Sequence, residues 1–196
     1  MHEGPRTDGK NQIVGRWGEW PQTDGCRGGR TVDGGIVGFL DDSPFADGVV
    51  IGCLLLGQVS SAVNHRHICD QAIVVIGNNS LHETLMQQLV AARIEIASVS
   101  HSKAFVSPCA QVAVGAMVMA RAVVNTEASI GTGAIVNCGT VVDYQDRVMD
   151  YGHCGLNACV VNGSVLGRSS WMKAGLSIDY GDVISDGVAL QLGQAA

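Results

Sequence analysis

The chain has 196 residues and a net charge of −6, and only 15% of its side chains are charged while 26 residues are glycine. Phosphate binding needs clustered Lys and Arg, and a membrane span needs about 20 apolar residues in a row; we find neither, which argues against nucleic-acid and membrane partners and for a cytoplasmic protein. The seven cysteines form no Cys-x-x-Cys pair, so we expect reduced thiols and no metal site.

The first 35 residues carry few signals of regular structure. Residues 12–15 suit a short strand, but the following stretch, 16–35, combines a proline with many glycines, which disfavours a helix. The tryptophans and arginines of this stretch suit a stacking or anion-binding surface. The alternative is a loose or malformed segment without a binding role, and the sequence leaves both interpretations open.

Three apolar runs follow, each with the length of a strand. Residues 36–40 lead into the turn-forming Asp41 and Asp42, residues 53–57 form a second run, and residues 72–76 form a third. Continuous apolar strands of this kind are typical of parallel sheets that helices cover.

A helix and another strand are predicted next. Ser80 is a candidate N-cap, and Glu83, three residues later, completes a capping box. Apolar residues at helical spacing predict an amphipathic helix over residues 81–93, and alternation over 94–99 predicts a strand. The stripe consists of Leu81, Leu85, Leu89 and Val90. Strand, helix and strand make a βαβ unit, so we predict a small, incomplete α/β domain in residues 1–100.

From residue 104 to the C-terminus an apolar residue returns at every sixth position. A period of six fits neither an α-helix nor a two-faced sheet, and it is the signature of hexapeptide β-helices. The residue two positions earlier is usually Ala, Gly, Ser or Thr, as expected where a chain turns a tight corner. The fifteen apolar positions are Val106, Val112, Val118, Val124, Ile130, Val136, Val142, Val148, Cys154, Val160, Leu166, Met172, Ile178, Ile184 and Leu190.

Each hexad supplies one short strand and one corner, so three hexads make a coil of eighteen residues whose apolar side chains point inward. Fifteen hexads therefore predict five coils. At a strand spacing of roughly 4.8 Å they would stack to about 24 Å. The period predicts a β-helix over residues 101–196, but it does not determine the hand of the coil.

Together these features resemble the family of sialic-acid O-acetyltransferases and bacillosamine-type nucleotide-sugar N-acetyltransferases, over about residues 36–193. The residues that carry the resemblance are GFLDD at 38–42, VIGNN at 75–79, SHSKA at 100–104 and the uninterrupted hexads. The resemblance implies a Rossmann-like N-terminal domain that holds a UDP-sugar, followed by a left-handed parallel β-helix. It also implies a homotrimer with acetyl-CoA between neighbouring β-helices. The implied role is acetyl transfer to a nucleotide-linked amino sugar for surface glycan synthesis.

In this family a His acts as general base, an acidic residue orients it, and a second His or a backbone N–H lies near the thioester oxygen. The resemblance places the acidic residue on Asp143, the second His on His153, and an Asn of the catalytic coil on Asn137. The base itself falls on Tyr144. Because a phenol with a reference pKa near 10 stays protonated at pH 7, N-acetylation is easier to support than O-acetylation, unless His153 serves as the base.

The ligand-binding residues also follow from the resemblance. Ligands of open α/β sheets gather at the carboxyl ends of strands, and an acidic residue there often holds the ribose, although Asp41 and Asp42 can equally cap a turn. The expected substrate contacts are Asp41, Asp42, Gly77, Asn78, Asn79 and Asn137. The expected acetyl-CoA contacts are His153, Asn162, Gly163, Ala174 and Gly175.

Departures from the family pattern leave an alternative open. Residues 15–20 (GRWGEW) stand where the family has a phosphate-binding Gly-rich loop, which leads to the hypothesis that residues 16–30 are out of frame or decayed. With Tyr144 at the base position, the alternative is a catalytically impaired or non-catalytic homologue that keeps the trimeric scaffold. A β-helical carbonic anhydrase needs three metal-binding His, and the repeat contains only His153.

Overall fold

The computed structural model of the chain describes residues 12–17, 29–30, 35–42, 49–50, 53–67, 69 and 71–191. These residues form two compact units, of which the second contains the chain from Ala97 onward together with Gly29–Arg30. We call the first the α/β unit and the second the solenoid unit. The residues between 17 and 29, which include most of the segment suspected of being out of frame, lie outside the described residues. No helix among the described residues is long and apolar enough to cross a membrane.

The α/β unit contains a six-stranded sheet, a 3₁₀ helix at Val59–His65 and one α-helix, α1, at Asn79–Ala91. Its strands are β1 (Gln12–Trp17), β3 (Gly35–Asp41), β4 (Val49–Val50), β5 (Cys53–Gly57), β6 (Gln71–Val75) and β7 (Glu95–Ile96). They lie in the order β4-β5-β3-β1-β6-β7. The three apolar runs predicted as strands are therefore β3, β5 and β6.

The sheet is mixed, because β1 runs antiparallel to both of its neighbours, β3 and β6. Parallel pairs join β3 to β5 and β6 to β7, so α1 makes the predicted crossover between two parallel strands. A Rossmann-like sheet has a parallel central strand, and this unit does not show one. The α/β composition is thus observed, while the Rossmann-like assignment stays a prediction.

The start of α1 differs from the sequence prediction. The N-cap is Asn78, whose Oδ1 accepts a hydrogen bond from the backbone N–H of Leu81 at 3.0 Å, so the predicted cap at Ser80 is wrong by two residues. Glu83 does not complete a capping box but accepts from the Gln87 amide. The buried face also shifts, since His82 and Met86 join Leu85 and Leu89 in it while Val90 is exposed.

The solenoid unit is built from two-residue strands that stack in three parallel sheets. Its strands β9 to β23 are Phe105–Val106, Gln111–Val112, Met117–Val118, Val123–Val124, Ser129–Ile130, Ile135–Val136, Val141–Val142, Arg147–Val148, His153–Cys154, Cys159–Val160, Val165–Leu166, Trp171–Met172, Ser177–Ile178, Val183–Ile184 and Ala189–Leu190. Each strand ends on the apolar residue of its hexad. Two more strands, β2 (Gly29–Arg30) and β8 (Val99–His101), extend one sheet, with β2 antiparallel to β8.

The register confirms the predicted coil of eighteen residues. Val123 pairs with Val141 and Arg147 pairs with Val165, and the same offset recurs in each stacked pair from β9 onward. We call the sheet of β8, β11, β14, β17, β20 and β23 sheet I, that of β9, β12, β15, β18 and β21 sheet II, and that of β10, β13, β16, β19 and β22 sheet III. Consecutive strands belong to sheets I, II and III in turn, so a corner of the chain joins each sheet to the next.

The interior of the solenoid is a single apolar column. Most hexad residues are fully buried there, as are the small residues that precede them by two positions. Where the small residue is Thr or Ser, its hydroxyl donates to the backbone carbonyl of the next coil, as Thr140 does to Gly155 at 2.9 Å and Ser170 to Ser185 at 2.8 Å. This buried position therefore takes residues that are small and, where they carry a hydroxyl, hydrogen-bonded, because a buried hydroxyl is costly without a partner.

The corners share one backbone feature that the sequence pattern did not reveal. From residue 115 to residue 187, one residue in six has a positive φ, and only seven of these thirteen positions are Gly. A non-Gly residue in this left-handed region costs about 1–2 kcal/mol. The six that do so are Arg121, Glu127, Gln145, Tyr151, Asn157 and Ser169.

Candidate active site

Tyr144 lies at the corner between sheets II and III, after β15 and before β16. The corners one coil earlier and one coil later, residues 125–128 and 161–164, stack on it at the eighteen-residue offset. We call these three stacked turns the Tyr144 corner. Tyr144 is exposed, and the backbone N–H of Gly163 donates to its carbonyl at 3.3 Å.

Glu127 is the carboxylate that faces Tyr144. It lies one coil earlier, and its negative charge acts on the Tyr144 side chain. Its Oε2 also accepts a hydrogen bond of 2.7 Å from the Gln145 amide. The Gln145 amide, on the next coil, therefore holds the carboxylate of Glu127.

This pairing keeps the phenol protonated. The negative charge of Glu127 is the largest effect that raises the pKa of Tyr144 above its usual value, and burial raises it further. A phenolate would need a nearby cation, and the structure places an anion there instead. Tyr144 is thus a protonated phenol at neutral pH.

Asp143 is committed to the coil before it. Its Oδ1 accepts a hydrogen bond of 2.9 Å from the Asn125 amide. Its backbone N–H donates to Oδ2 of Asp146. Asp146 is fully buried, and its Oδ1 accepts from the Ser164 N–H at 2.9 Å. Asp143 therefore serves as a bridge between coils, and the carboxylate whose charge acts on Tyr144 is Glu127.

His153 occupies a different side of the solenoid. It is the outward residue of β17 in the middle of sheet I, where its ring lies 6.1 Å from that of Trp171, with an angle of 48° between the planes. The imidazole is half-buried, and its Nδ1 is fully buried. Because a corner between sheets II and III is opposite sheet I in a three-sided prism, one chain does not bring His153 and Tyr144 together.

Apart from His153, the predicted cofactor residues divide between two corners. Asn162 and Gly163 belong to the Tyr144 corner, one coil after Tyr144. Ala174 and Gly175 are exposed at the corner between sheets I and II, where Asn137 lies two coils earlier. The side chain of Asn137 accepts a hydrogen bond from the next N–H, that of Cys138, at 2.8 Å. Sheet II thus runs between the two groups of predicted ligand residues.

The predicted substrate residues of the α/β unit share one edge of its sheet. Because β1 is antiparallel to both β3 and β6, these two strands run in the same direction, and their carboxyl ends meet at one edge. Gln12 pairs with Asp41 on one side and with Val75 on the other, which sets the two strand ends about 10 Å apart. Asp41 and Asp42 follow one strand, and Gly77, Asn78 and Asn79 follow the other.

Several of these side chains have structural partners already. Asp42 Oδ1 accepts a hydrogen bond of 3.0 Å from the Val59 N–H at the start of the 3₁₀ helix. Asp41 is buried, and Asn78 caps α1. Gly77 is exposed, with open space where a side chain would project. Room for a ligand at this edge is therefore provided by Gly77 rather than by the carboxylates.

Glu127 is the site residue that the sequence interpretation missed. The signal was present, because residue 127 lies eighteen positions before Gln145 and so stacks directly against it. Applying the coil period to the corners as well as to the interior would have found the contact. No group of three His, Cys, Asp or Glu side chains among the described residues is arranged to hold a metal ion.

Comparison with known proteins gives a fold class but no sequence family. No family model matches the chain, and no curated protein sequence matches it. Solved structures do match it. PerB, the perosamine N-acetyltransferase from Caulobacter crescentus, solved with CoA and GDP-perosamine, is 25% identical over 74% of each chain, with a TM-score of 0.63.

Two more distant structures share the fold. The acetyltransferase domain of PglB from Neisseria gonorrhoeae FA1090, solved with acetyl coenzyme A, is 23% identical with a TM-score of 0.62, over 76% of this chain and 80% of that one. WeeI from Acinetobacter baumannii AYE is 12% identical with a TM-score of 0.54, over 74% of this chain and 78% of that one.

These similarities confirm the predicted resemblance to hexapeptide-repeat sugar acetyltransferases. The stacked parallel sheets fit a left-handed parallel β-helix like that of the neighbours. The similarity supports the prediction that the chain is an acetyltransferase. PerB is one relative that is 25% identical and was solved with a bound nucleotide sugar.

Proposed function

We propose that the chain is an acetyl-CoA-dependent acetyltransferase that acts on the amino group of a nucleotide-linked sugar. The observation that carries this proposal is the likeness, at 25% identity over 74% of both chains, to an N-acetyltransferase solved with CoA and GDP-perosamine. The sequence predicted a UDP-sugar, whereas this relative carries a GDP-sugar, so the proposal extends to nucleotide sugars as a class. The implied product is an N-acetylated sugar for surface glycan synthesis.

An amine acceptor fits the chemistry of the Tyr144 corner better than a hydroxyl acceptor. A hydroxyl must lose its proton as it attacks the thioester, which calls for a strong general base. Tyr144 is held as a protonated phenol by Glu127, so it does not supply one as a phenolate. A sugar amine attacks with its own lone pair and needs to lose a proton only once the new C–N bond forms.

The proposed active form is a homotrimer in the cytoplasm, with each site built from two copies. In one chain Tyr144 lies opposite sheet I, which carries His153. A second copy is the simplest source of a His153 close to a Tyr144 corner. Acetyl-CoA would then lie along the groove between two copies, in reach of Asn162 and Gly163 of one copy. At the edge of the α/β sheet, Gly77 and Asn79 are proposed to contact the nucleotide sugar.

The second candidate is a non-catalytic homologue that keeps the trimeric scaffold. The observation that favours it is the raised pKa of Tyr144 beside the charge of Glu127, which leaves a protonated phenol at the position of the family's general base. Loss of a general base typically lowers the rate by about 10²–10⁴-fold.

Acetyl transfer separates the two candidates. The purified protein would be incubated with acetyl-CoA and a panel of UDP- and GDP-linked 4-amino-sugars, and release of the CoA thiol would be followed. We expect turnover with at least one amino sugar, and none with the matching 4-hydroxy sugars. The Tyr144→His variant restores the family's base, so absence of turnover in both proteins would rule out the enzyme. Acetyl-CoA binding measured by calorimetry would then distinguish a retained cofactor groove from a bare scaffold.

A further inference from the structure

The charged residues of the solenoid unit are unevenly distributed among its corners. The turns between sheets II and III, from residue 107 to residue 182, contain carboxylates but no Lys or Arg. The turns between sheets I and II show the reverse, with cations and no Asp or Glu. We call these turns, residues 101–104, 119–122, 137–140, 155–158 and 173–176, the basic corner; the structure describes all of them. Its cations are Lys103, Arg121 and Lys173. A corner of this kind attracts anionic ligands, although the whole chain has a net charge of −6.

Lys103 and Arg121 are neighbours on adjacent coils of the basic corner. The Arg121 N–H donates to the Lys103 carbonyl at 3.1 Å, and the Lys103 N–H donates to the His101 ring at 3.0 Å. Both side chains are exposed, and no carboxylate among the described residues forms an ion pair with either. The backbone thus places two cations on coils roughly 4.8 Å apart, an arrangement that is unfavourable unless an anion lies between them.

The backbone conformation of Arg121 indicates a role for its side chain. Its φ is +62°, and the corresponding positions on the following coils are Gly139, Asn157 and Gly175, all with positive φ. Gly adopts this region without strain and Asn is enriched in it, whereas a long side chain such as that of Arg is uncommon there. The fold therefore favours Gly at position 121, and strained residues of this kind cluster at functional sites.

We propose that Lys103 and Arg121 form a binding site for the diphosphate group of a substrate. This inference rests on the proposed function. The guanidinium of Arg121 can present two parallel N–H groups to phosphate oxygens, and the ammonium of Lys103 supplies a compact second charge. A diphosphate offers one phosphate to each cation, so both repelling charges are neutralised by one ligand.

Both substrates of the proposed reaction carry a diphosphate, and the position of the pair favours the nucleotide sugar. Asn137, the expected substrate contact, belongs to the basic corner and lies on the coil after Arg121. In a nucleotide sugar the diphosphate is joined directly to the sugar ring, so these two groups lie on neighbouring coils. In acetyl-CoA a long arm separates the diphosphate from the thioester, and the expected donor contacts Ala174 and Gly175 lie two coils beyond Asn137.

The test compares acetyl-transfer kinetics of the full-length protein and its variants. Arg121→Gly and Lys103→Ala should each raise KM for the amino sugar nucleotide about tenfold, and the double variant about 10²-fold, with kcat little changed. Arg121→Lys keeps the charge and should recover part of the loss. The matched control is Arg147→Gln, which removes an exposed cation from the outer face of sheet III and should leave KM unchanged.

The two sources of the diphosphate are distinguished by which KM changes. A rise for the nucleotide sugar alone assigns the pair to the acceptor, and a rise for acetyl-CoA alone assigns it to the donor. If both KM values stay at the native level in the double variant, the pair binds no substrate diphosphate and the inference is wrong.

Thermal unfolding separates binding from structural support. Because Gly suits the positive φ at position 121, Arg121→Gly should not lower the unfolding temperature of the free protein. A rise in KM that is accompanied by a lower unfolding temperature, and that Arg121→Lys does not reduce, would mean that Arg121 only supports the corner.

Direct binding provides a readout that needs no turnover. Calorimetry with UDP, GDP and CoA should show an affinity for at least one of them that falls about 10²-fold in the double variant. A native protein that shows this loss but no turnover on any sugar would contradict the proposed function and leave the diphosphate site standing. Equal affinities in the native protein and the double variant, or no binding by the native protein, would overturn the site.

Discussion

The solenoid unit and the α/β unit differ in how their strand partners are related along the sequence. In the solenoid every strand pairs with the segment eighteen residues along, so one rule covers β9 to β23. In the α/β unit Ile13 pairs with Leu40 on one side and with Val74 on the other, and no repeat relates these partners. A periodic sequence thus shows its long-range pairing directly, whereas a non-repeating sheet depends on partners that nothing in the local pattern specifies.

The two units also differ in where their variable and polar residues lie. The solenoid keeps its inward column without interruption, and its variation is confined to corners such as that of Tyr144. The α/β unit places its polar residues at strand ends, where Asp42 and Asn78 are used to cap helices. The comparison therefore predicts that interior changes in the solenoid cost most stability, corner changes cost less, and cap changes in the α/β unit cost least.

The largest effect is expected from Leu166→Ala in the interior of the solenoid. Leu166 is fully buried in the apolar column, so removal of its side chain leaves a cavity and should lower the free energy of unfolding by about 2–5 kcal/mol. Urea denaturation followed by circular dichroism measures the loss. The control is Val165→Ala, the outward neighbour on the same strand, which should cost clearly less. Equal losses would contradict the inward and outward assignment of β19.

An intermediate effect is expected from Asp146→Asn at the Tyr144 corner. Both carboxylate oxygens accept backbone N–H groups, those of Asp143 and Ser164, and an amide satisfies only one. A buried N–H left without an acceptor costs about 1–3 kcal/mol, and urea denaturation at pH 7 should show a loss of this size.

The pH dependence of Asp146 has a definite sign. Burial raises the pKa of its carboxyl above the ordinary value, and the nearby Asp143 raises it further, against the lowering effect of the N–H groups of Ser164 and Asp143. The proton-linked part of the stability that this group contributes is therefore complete below the unfolded pKa of about 4 and is lost as the pH rises through the raised folded pKa, whereas the part that comes from its two hydrogen bonds remains at pH 7. The advantage of the native protein over Asp146→Asn should shrink across that range, and a growing advantage would contradict the shift.

The smallest effect is expected from Asn78→Ala in the α/β unit. This change removes the side chain that caps α1 and should lower stability by about 1 kcal/mol. The matched control is Ser80→Ala, at the position that the sequence alone predicts as the cap, which should be nearly neutral. The thermal unfolding transition of each variant provides the comparison. If Ser80→Ala were the more costly change, the helix would begin two residues later than the structure places it.

The candidate site was only partly predictable. The resemblance located Tyr144, Asp143, Asn162 and Gly163, and the structure stacks them at one corner. It did not reveal that the carboxylate facing Tyr144 is Glu127, because that contact depends on how adjacent coils stack. Nor did it reveal that His153 and Tyr144 lie on opposite sides of one chain.

By itself, the sequence determined the solenoid. A branched residue at every sixth position can be buried only if the chain turns after each short strand, and once that turn repeats, each strand pairs with the one three hexads away. The tertiary structure alone decided the direction of β1 and its pairing with β3 and β6. These depend on contacts between segments whose separation no local pattern encodes, and contacts of that kind form only when the whole unit is folded.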